Sequence, residues 1–261
     1  MKNIHKLNNT TSDYKFSMHS QSRFRPIEQN FKNMRIVRQN NNNKVVYESL
    51  KEGSLKRLNK NINHKEYKRT IEDLELTEVD FLLKCKNDHL FAKLASRTIS
   101  KKSSRQGNKD EIEQIKTCNI TSQKCGITIT HLNAKEKRPT KDGFIISNEE
   151  MKIKQIKKNS CLKSFDAIIS GKINGFISAK VVYGDGGHQD NVFEEMETLA
   201  EWWKKYKILS KEFLILLIDT DLIKKITNIK KKYSSIKNIK VFNHIEFQEY
   251  IINEYYIYES I

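Results

Sequence analysis

The chain has 261 residues and carries 48 Lys and Arg against 32 Asp and Glu, which gives a formal net charge of +16. With 9 Gly and 2 Pro, it is neither collagen-like nor a Gly/Pro-rich low-complexity chain. The longest apolar run, Phe213–Ile218, covers six residues, whereas a bilayer span needs roughly 20. The first residues also lack the apolar segment of a secretory signal, so we expect a cytoplasmic protein with no membrane contact.

The positive charge is concentrated at the start of the chain. Residues 1–70 hold 16 Lys and Arg and 5 Asp and Glu, so +11 of the +16 lies in this first quarter. Residues 1–45 contain the run Asn40–Asn43 and few periodic apolar positions, which predicts a flexible basic N-terminal arm. Such a segment is either a solvated tail or an arm along a phosphate backbone. Four arginines interleaved with two phenylalanines favour the arm: Arg23, Arg25, Arg35, Arg38, Phe24 and Phe31.

The four cysteines do not indicate a metal or disulfide framework. They include no CxxC pair, and the spacing of Cys118, Cys125 and His131 is poor for zinc. We therefore expect reduced thiols.

Helical periodicity begins at Val45. The apolar spacing predicts one helix over Glu78–Ser96, with Thr77 as its N-cap. A polar loop with Gly107 as a hinge follows, and a second helix is predicted from Asp110, where acidic residues suit the helix dipole. The apolar face of the first helix is predicted to consist of Val79, Leu82, Leu83, Leu90, Leu94 and Ala95.

After Asn119 the apolar period changes to two, which indicates strands. This order of elements predicts an α/β fold, a mixed β-sheet flanked by helices, with a helical, basic N-terminal region. We expect one domain over 46–261, with its core at about 108–252. The predicted strands are 126–132, 165–170, 176–183, 212–219 and 239–242, with a turn signal at Asp142–Gly143, and the predicted helices are 191–206, 222–233 and 246–252.

The most informative segment is the predicted hairpin of residues 165–183. A hairpin centred on Ile173 places Asp166 directly opposite Lys180, where side chains lie about 5 Å apart. A lysine inside an apolar strand requires a partner, because burying an unpaired charge is costly. The pair is either a solvated cross-strand salt bridge or part of a metal-dependent phosphodiesterase site, in which Asp166 binds Mg²⁺ and Lys180 stabilises the developing anion.

This arrangement resembles the PD-(D/E)XK nucleases, and among them the type II restriction endonucleases. The resemblance runs from Ser164 to the C-terminus and back to the helix at Asp110, and it rests on Asp166 and on Ser178-Ala179-Lys180. The chain departs from the family pattern in having Phe165 instead of Pro, and Ser178 instead of an acid. The resemblance implies a restriction-endonuclease-like core and a Mg²⁺-dependent, sequence-specific endonuclease acting on double-stranded DNA. It also implies a homodimer and a cognate DNA methyltransferase that protects the host.

Because Ser178 carries no charge, the resemblance implies that a glutamate from the following helix completes the metal site. Glu194 and Glu195 are both available; on a helical wheel Glu195 lies nearer the apolar face, and we favour it. Glu111 is a further metal candidate, although its place at a helix N-terminus is an equally good explanation. The candidate DNA contacts lie in two loops: Arg105, Gln106, His188 and Gln189.

The sequence leaves alternatives both for the metal ligands and for the function. Asp219 and Asp221 form a rival metal pair at the end of a buried strand, although turn and N-cap roles are favoured. The chain is also compatible with a non-catalytic DNA-binding protein that retains the nuclease fold, which Ser178 favours, or with a DNA repair or junction-resolving nuclease.

Overall fold

The structure is a computed structural model that describes residues 25–53, 61–102, 109–133, 136–183 and 187–256, with only the backbone described for 187–190. The N-terminal part is helical, and its small core is formed by apolar residues of the first four helices and of the segment around Ile62. The helices are α1 (Phe31–Glu52), α2 (His64–Asp73), α3 (Glu78–Asn87) and α4 (His89–Ile99).

The predicted arm is wrong over its last third. α1 begins at Phe31, so residues 31–45 are helical. The Asn30 side chain accepts a hydrogen bond from Asn33 N at the start of α1, and Gly53, in the left-handed conformation, ends the helix. Arg23 and Phe24 of the predicted arm lie outside the described residues.

The predicted single helix over Glu78–Ser96 is also wrong. Asp88 interrupts it, because its carboxylate accepts hydrogen bonds from Leu90 N and Phe91 N and caps a new helix, α4. The buried residues of the two helices are largely different from those predicted: Phe81 and Cys85 in α3, and Ala92, Ala95, Ser96 and Ile99 in α4. Four residues of the predicted apolar face are exposed: Val79, Leu83, Leu90 and Leu94.

The rest of the described chain forms a mixed sheet flanked by helices, as predicted. Its strand order is β1-β4-β5-β6-β7; β4 is antiparallel to β1 and β5, and β5, β6 and β7 are parallel. β2 and β3 form a separate hairpin around the predicted Asp142–Gly143 turn. The strands are β1 (Ile127–His131), β2 (Lys137–Pro139), β3 (Ile145–Ser147), β4 (Ala167–Gly171), β5 (Gly175–Val182), β6 (Phe213–Thr220) and β7 (Ile239–Phe242).

Helices cover both faces of the five-stranded sheet. Apolar residues of α5 and α9 pack on one face, and those of α7 and α8 pack on the other. All eight residues of β5 are consequently buried, because β5 is both central in the sheet and covered on both sides. These four helices are α5 (Lys109–Gln123), α7 (Gly187–Tyr206), α8 (Ile223–Tyr233) and α9 (His244–Tyr255), and a further helix, α6 (Asn148–Ile153), follows the small hairpin.

Two further findings concern the sequence-based expectations. The cysteines Cys85, Cys118, Cys125 and Cys161 are all free thiols. None of the helices in the described ranges combines the length and apolar character that crossing a bilayer requires.

Candidate functional site

Asp166 and Lys180 come together, but not through the predicted register. Ala167 pairs with Ile177, and this register places Asp166 level with Ser178 instead of Lys180. Because the shift is two residues, Lys180 stays on the same face of β5 as Ser178, diagonally across from Asp166.

The close pairing of β5 with β6 depends on Gly175. Gly175 begins β5 with a φ of +157°, and a Cβ added there would come within 2.0 Å of the Phe213 carbonyl oxygen. The close approach of β5 to β6 therefore excludes a side chain at this position.

The Lys180 ammonium lies among three oxygen atoms from three parts of the chain. Its Nζ is 3.3 Å from Asp166 Oδ2 and 3.4 Å from Glu111 Oε1, and it donates a hydrogen bond of 2.7 Å to the Ala179 carbonyl. Lys180 is only 5% exposed, whereas the side chains of Asp166 and Glu111 are 14% and 19% exposed. The two carboxylates therefore form the solvent-facing side of the cluster.

The backbone of β5 fixes the Asp166 carboxylate. Asp166 Oδ2 accepts a hydrogen bond of 2.8 Å from Ala179 N and lies 3.4 Å from Ser178 Oγ. Asp166 N in turn donates to the Ile177 carbonyl. The carboxylate is thus held against the strand that carries Lys180, and Ser178 supplies a hydroxyl where the family pattern has an acid.

Burial and charge have opposite effects on this cluster. Burial acts to lower the pKa of Lys180, but the attraction of Asp166 and Glu111 outweighs it, so the pKa is raised above its ordinary value. Burial raises the pKa of Glu111 and exceeds the lowering by Lys180. Lys180 is therefore positively charged at neutral pH. Its charge compensates the desolvation of the Glu111 carboxylate only in part.

The donor set fits a hard divalent cation. Asp166 Oδ2, Glu111 Oε1 and the Ala179 carbonyl are all oxygen atoms, the ligand type that Mg²⁺ prefers, and they already surround one positive charge. Among the described residues, no group of three or more His, Cys, Asp or Glu side chains is arranged to hold a metal ion. An ion at this position would therefore take two carboxylates and a backbone carbonyl.

The acid that meets Lys180 comes from the preceding helix and not from α7. Glu195, the favoured candidate, forms an ion pair with Lys163 at 2.5 Å and is 41% exposed. Glu194 and Glu195 line a cavity of about 270 Å³ together with Ser178 and Lys163. The predicted face of α7 was nevertheless correct, since Met196, Leu199 and Trp203 are buried.

The predicted DNA contacts are Arg105, Gln106, His188 and Gln189. Arg105 and Gln106 lie outside the described residues, as do the side chains of His188 and Gln189. Gly187 to Gln189 belong to α7, so the helix begins earlier than predicted.

Asp219 and Asp221 do not form a metal pair. Asp219 is buried: its Oδ1 is 2.6 Å from His244 Nδ1, and its Oδ2 accepts a hydrogen bond of 2.6 Å from Gln114 Nε2. Asp221 instead pairs with Lys32 at 3.3 Å. The N-cap role predicted for these acids is wrong as well, because the N-cap position of α8 is Leu222, which has no side-chain capping hydrogen bond. The turn before α8 is instead held by Thr220, whose hydroxyl accepts a hydrogen bond of 3.0 Å from Leu222 N.

Two polar clusters beside the site were missed by sequence reasoning. In the first, both Asp110 carboxylate oxygens accept hydrogen bonds from α1, one from Arg35 Nε and one from Arg38 Nη2. In the second, His244 Nε2 accepts from Gln29 N at 3.0 Å, so its Nδ1 donates to Asp219. The signal for the first cluster was the i, i+3 spacing of the two arginines, which is visible only once residues 31–45 are recognised as helical.

Comparison of the chain with protein-family models, with curated proteins and with solved structures finds no match.

Proposed function

We propose that the protein is a Mg²⁺-dependent endonuclease that cleaves double-stranded DNA at specific sequences, of the type II restriction class. The observation that carries this proposal is the convergence of Asp166, Glu111 and the Ala179 carbonyl on Lys180 at the end of a central strand. The order of elements around this cluster, from α5 through the β4–β5 hairpin to α7 and β6, agrees with the resemblance to the PD-(D/E)XK nucleases.

The residues of the cluster divide into two roles. Asp166 and Glu111, with the Ala179 carbonyl, would hold the ion, which supplies charge neutralisation at the phosphate and lowers the pKa of a bound water. Lys180 stays protonated, so it donates hydrogen bonds to the attacking water or to a phosphoryl oxygen and does not act as a general base. Lys163, half exposed beside Glu195, offers a second cation to the phosphate backbone.

The proposal includes two partners. A palindromic site is cut in both strands when two copies of the enzyme share the two-fold symmetry of the DNA, so we infer a homodimer. Cleavage of unmodified DNA would also damage the host genome, so a cognate DNA methyltransferase belongs to the same system.

A second candidate function is a non-catalytic DNA-binding protein with the same fold. Ser178 favours it, because a hydroxyl at this position supplies no negative charge to a metal. Lys180 favours it too, because its ammonium already compensates much of the charge of Asp166 and Glu111.

The test is digestion of plasmid DNA with Mg²⁺, with chelator, and with the Lys180→Ala variant. Lys116→Ala is the matched control, since Lys116 forms an exposed ion pair with Glu113 on α5. We expect discrete fragments from the wild type and the control, and cleavage reduced by about 10²–10³-fold in Lys180→Ala.

The outcomes separate the candidates. DNA binding without cleavage in any divalent metal would refute the nuclease and support the binding protein. Cleavage of unmethylated linear DNA without a fixed set of bands would refute the restriction assignment in favour of a repair or junction-resolving nuclease.

A further inference from the structure

The first turn of α5 carries two neighbouring acids that point to different parts of the molecule. Glu111 meets Lys180 of the candidate site, whereas Asp110 faces α1 and is only 6% exposed. Consecutive helical residues are about 100° apart around the axis, so one rigid turn can place both carboxylates at once. Whatever fixes Asp110 therefore also fixes the direction of Glu111.

Two arginines of α1 fix Asp110. Arg35 and Arg38 each donate to a different oxygen of the same carboxylate, and both arginine side chains are about four-fifths buried. Arginine stays charged at every accessible pH and presents its N–H groups in a rigid planar fork, so it orients a carboxylate more strictly than lysine does.

Arg35 extends this contact to the strand that carries Lys180. A second N–H group of Arg35 donates a hydrogen bond of 2.5 Å to the Val181 carbonyl, and the guanidinium lies 5.4 Å from the centre of the Tyr183 ring. The three elements are therefore connected pairwise. α1 contacts the end of β5 and the first turn of α5, and α5 contacts β5 through Glu111 and Lys180.

A second anchor on α5 does not replace the first. The Gln114 amide donates to Asp219 Oδ2 and lies 3.4 Å from the carbonyls of Lys180 and Leu217. Gln114 therefore holds α5 against β5 and β6 one turn further along, whereas the contacts of Asp110 hold the turn that carries Glu111 itself.

Stability alone is a poor explanation for this cluster. Removing charges from water is costly, and well-packed apolar residues of similar volume often stabilise a fold at least as well as a buried ion pair. The best-attested benefit of such a pair is that it selects one arrangement of the elements it joins. Here that arrangement is the one that brings Glu111 to Lys180.

We propose that Arg35 and Arg38 are positioning residues for the candidate metal site, acting through Asp110 to keep the Glu111 carboxylate beside Lys180. The inference rests on the proposed nuclease function. It makes α1 a required part of the site, although α1 precedes the segment that resembles the nuclease family.

The test compares Arg35→Lys and Arg38→Lys with Arg69→Lys. The control is matched because Arg69 also pairs with an aspartate, Asp73, at 3.4 Å, but on the exposed surface of α2. Three quantities are measured for each: resistance to urea, the Mg²⁺ dissociation constant of the DNA-free protein by calorimetry, and kcat and KM for DNA cleavage. We expect both cluster variants to bind Mg²⁺ about 10–100-fold more weakly and to lose kcat, with KM within about twofold of the wild type, and the control to match the wild type.

Each result has a defined meaning. If the cluster variants lose resistance to urea but keep the wild-type Mg²⁺ affinity and kcat, the arginines are merely structural and the inference is overturned. If Arg35→Lys does not fold, Arg38→Lys and Asp110→Asn are judged by the same measurements. A wild type that binds Mg²⁺ but cuts no DNA refutes the nuclease alone, because weaker Mg²⁺ binding in the variants still supports positioning. A wild type that binds no Mg²⁺ overturns both.

Discussion

Replacement of Lys180 by methionine tests whether the oxygen atoms around its ammonium form a cation site. At an effective dielectric constant of about 20, the contacts at 3.3 and 3.4 Å each contribute about 5 kcal/mol of attraction before desolvation is subtracted. Removing one partner of a buried ion pair typically costs about 3–5 kcal/mol, because the remaining charge stays buried. We therefore expect Lys180→Met to lower the free energy of unfolding by about 3–5 kcal/mol in the presence of chelator.

Magnesium is expected to reverse part of this loss. Without the ammonium, the ion that Asp166 and Glu111 are proposed to hold no longer competes with a neighbouring positive charge, and a ligand at roughly 100 times its Kd stabilises a fold by about 2.7 kcal/mol. Urea denaturation with chelator and with saturating Mg²⁺ measures the effect, and the gain from Mg²⁺ should be larger in Lys180→Met than in the wild type. An exposed lysine gives the control: Lys116→Met should lose less than about 1 kcal/mol. An equal or smaller gain in Lys180→Met would show that these oxygens are not a cation site.

Two further predictions concern buried groups. The raised pKa of Glu111 means that, above the ordinary glutamate pKa of about 4.3, the folded state binds more protons than the unfolded state, so the free energy of unfolding falls as pH rises through that window. Glu111→Gln should remove this part of the slope in urea titrations at stepped pH, and an identical slope in both proteins would contradict the assignment. His244→Ala leaves Asp219 Oδ1 and Gln29 N without their partner and should lower the free energy of unfolding by roughly 3 kcal/mol, so a loss under about 1 kcal/mol would be evidence against the buried network.

The second half of the fold was predictable because its elements are strongly apolar or strongly periodic. The prediction for β6 was 212–219, and the strand is Phe213–Thr220; that for β7 was identical to the observed strand. β6 is buried between helices, so its sequence is almost continuously apolar and the limits of burial nearly coincide with those of the strand. β7 lies at the edge of the sheet and alternates buried and half-buried residues, which is the period of two that marks a strand.

α1 was not predictable in the same way, because much of its packing is polar and long-range. The buried Asn42 amide donates to the carbonyls of Asn61 and Lys101, which are distant in sequence. From sequence alone a run of asparagines is typical of a disordered segment, because the distant carbonyls that accept its hydrogen bonds cannot be identified. The break at Asp88 had a local signal, since aspartate is a favoured N-cap, but the apolar residues on both sides also fitted one continuous helix.

The sequence predicted which face of β5 carries Lys180, but not how far each candidate acid lies from it. The alternation of side chains along β5 predicted that Lys180 lies on the same face as Ser178. This prediction is correct despite an error of two residues in the register, because every second side chain of a strand points to the same face. A slip of one residue would have pointed Lys180 away from Asp166, whereas a slip of two only moves it to a diagonal neighbour at about 7–8 Å between Cα atoms, which a lysine side chain spans. No such periodicity decides between Glu195 and Glu111 as the acid beside Lys180. A helical wheel gives the angle around α7 but not the distance of each turn from the end of β5. That distance depends on where α5 and α7 begin relative to the sheet, which only the tertiary contacts of each helix determine.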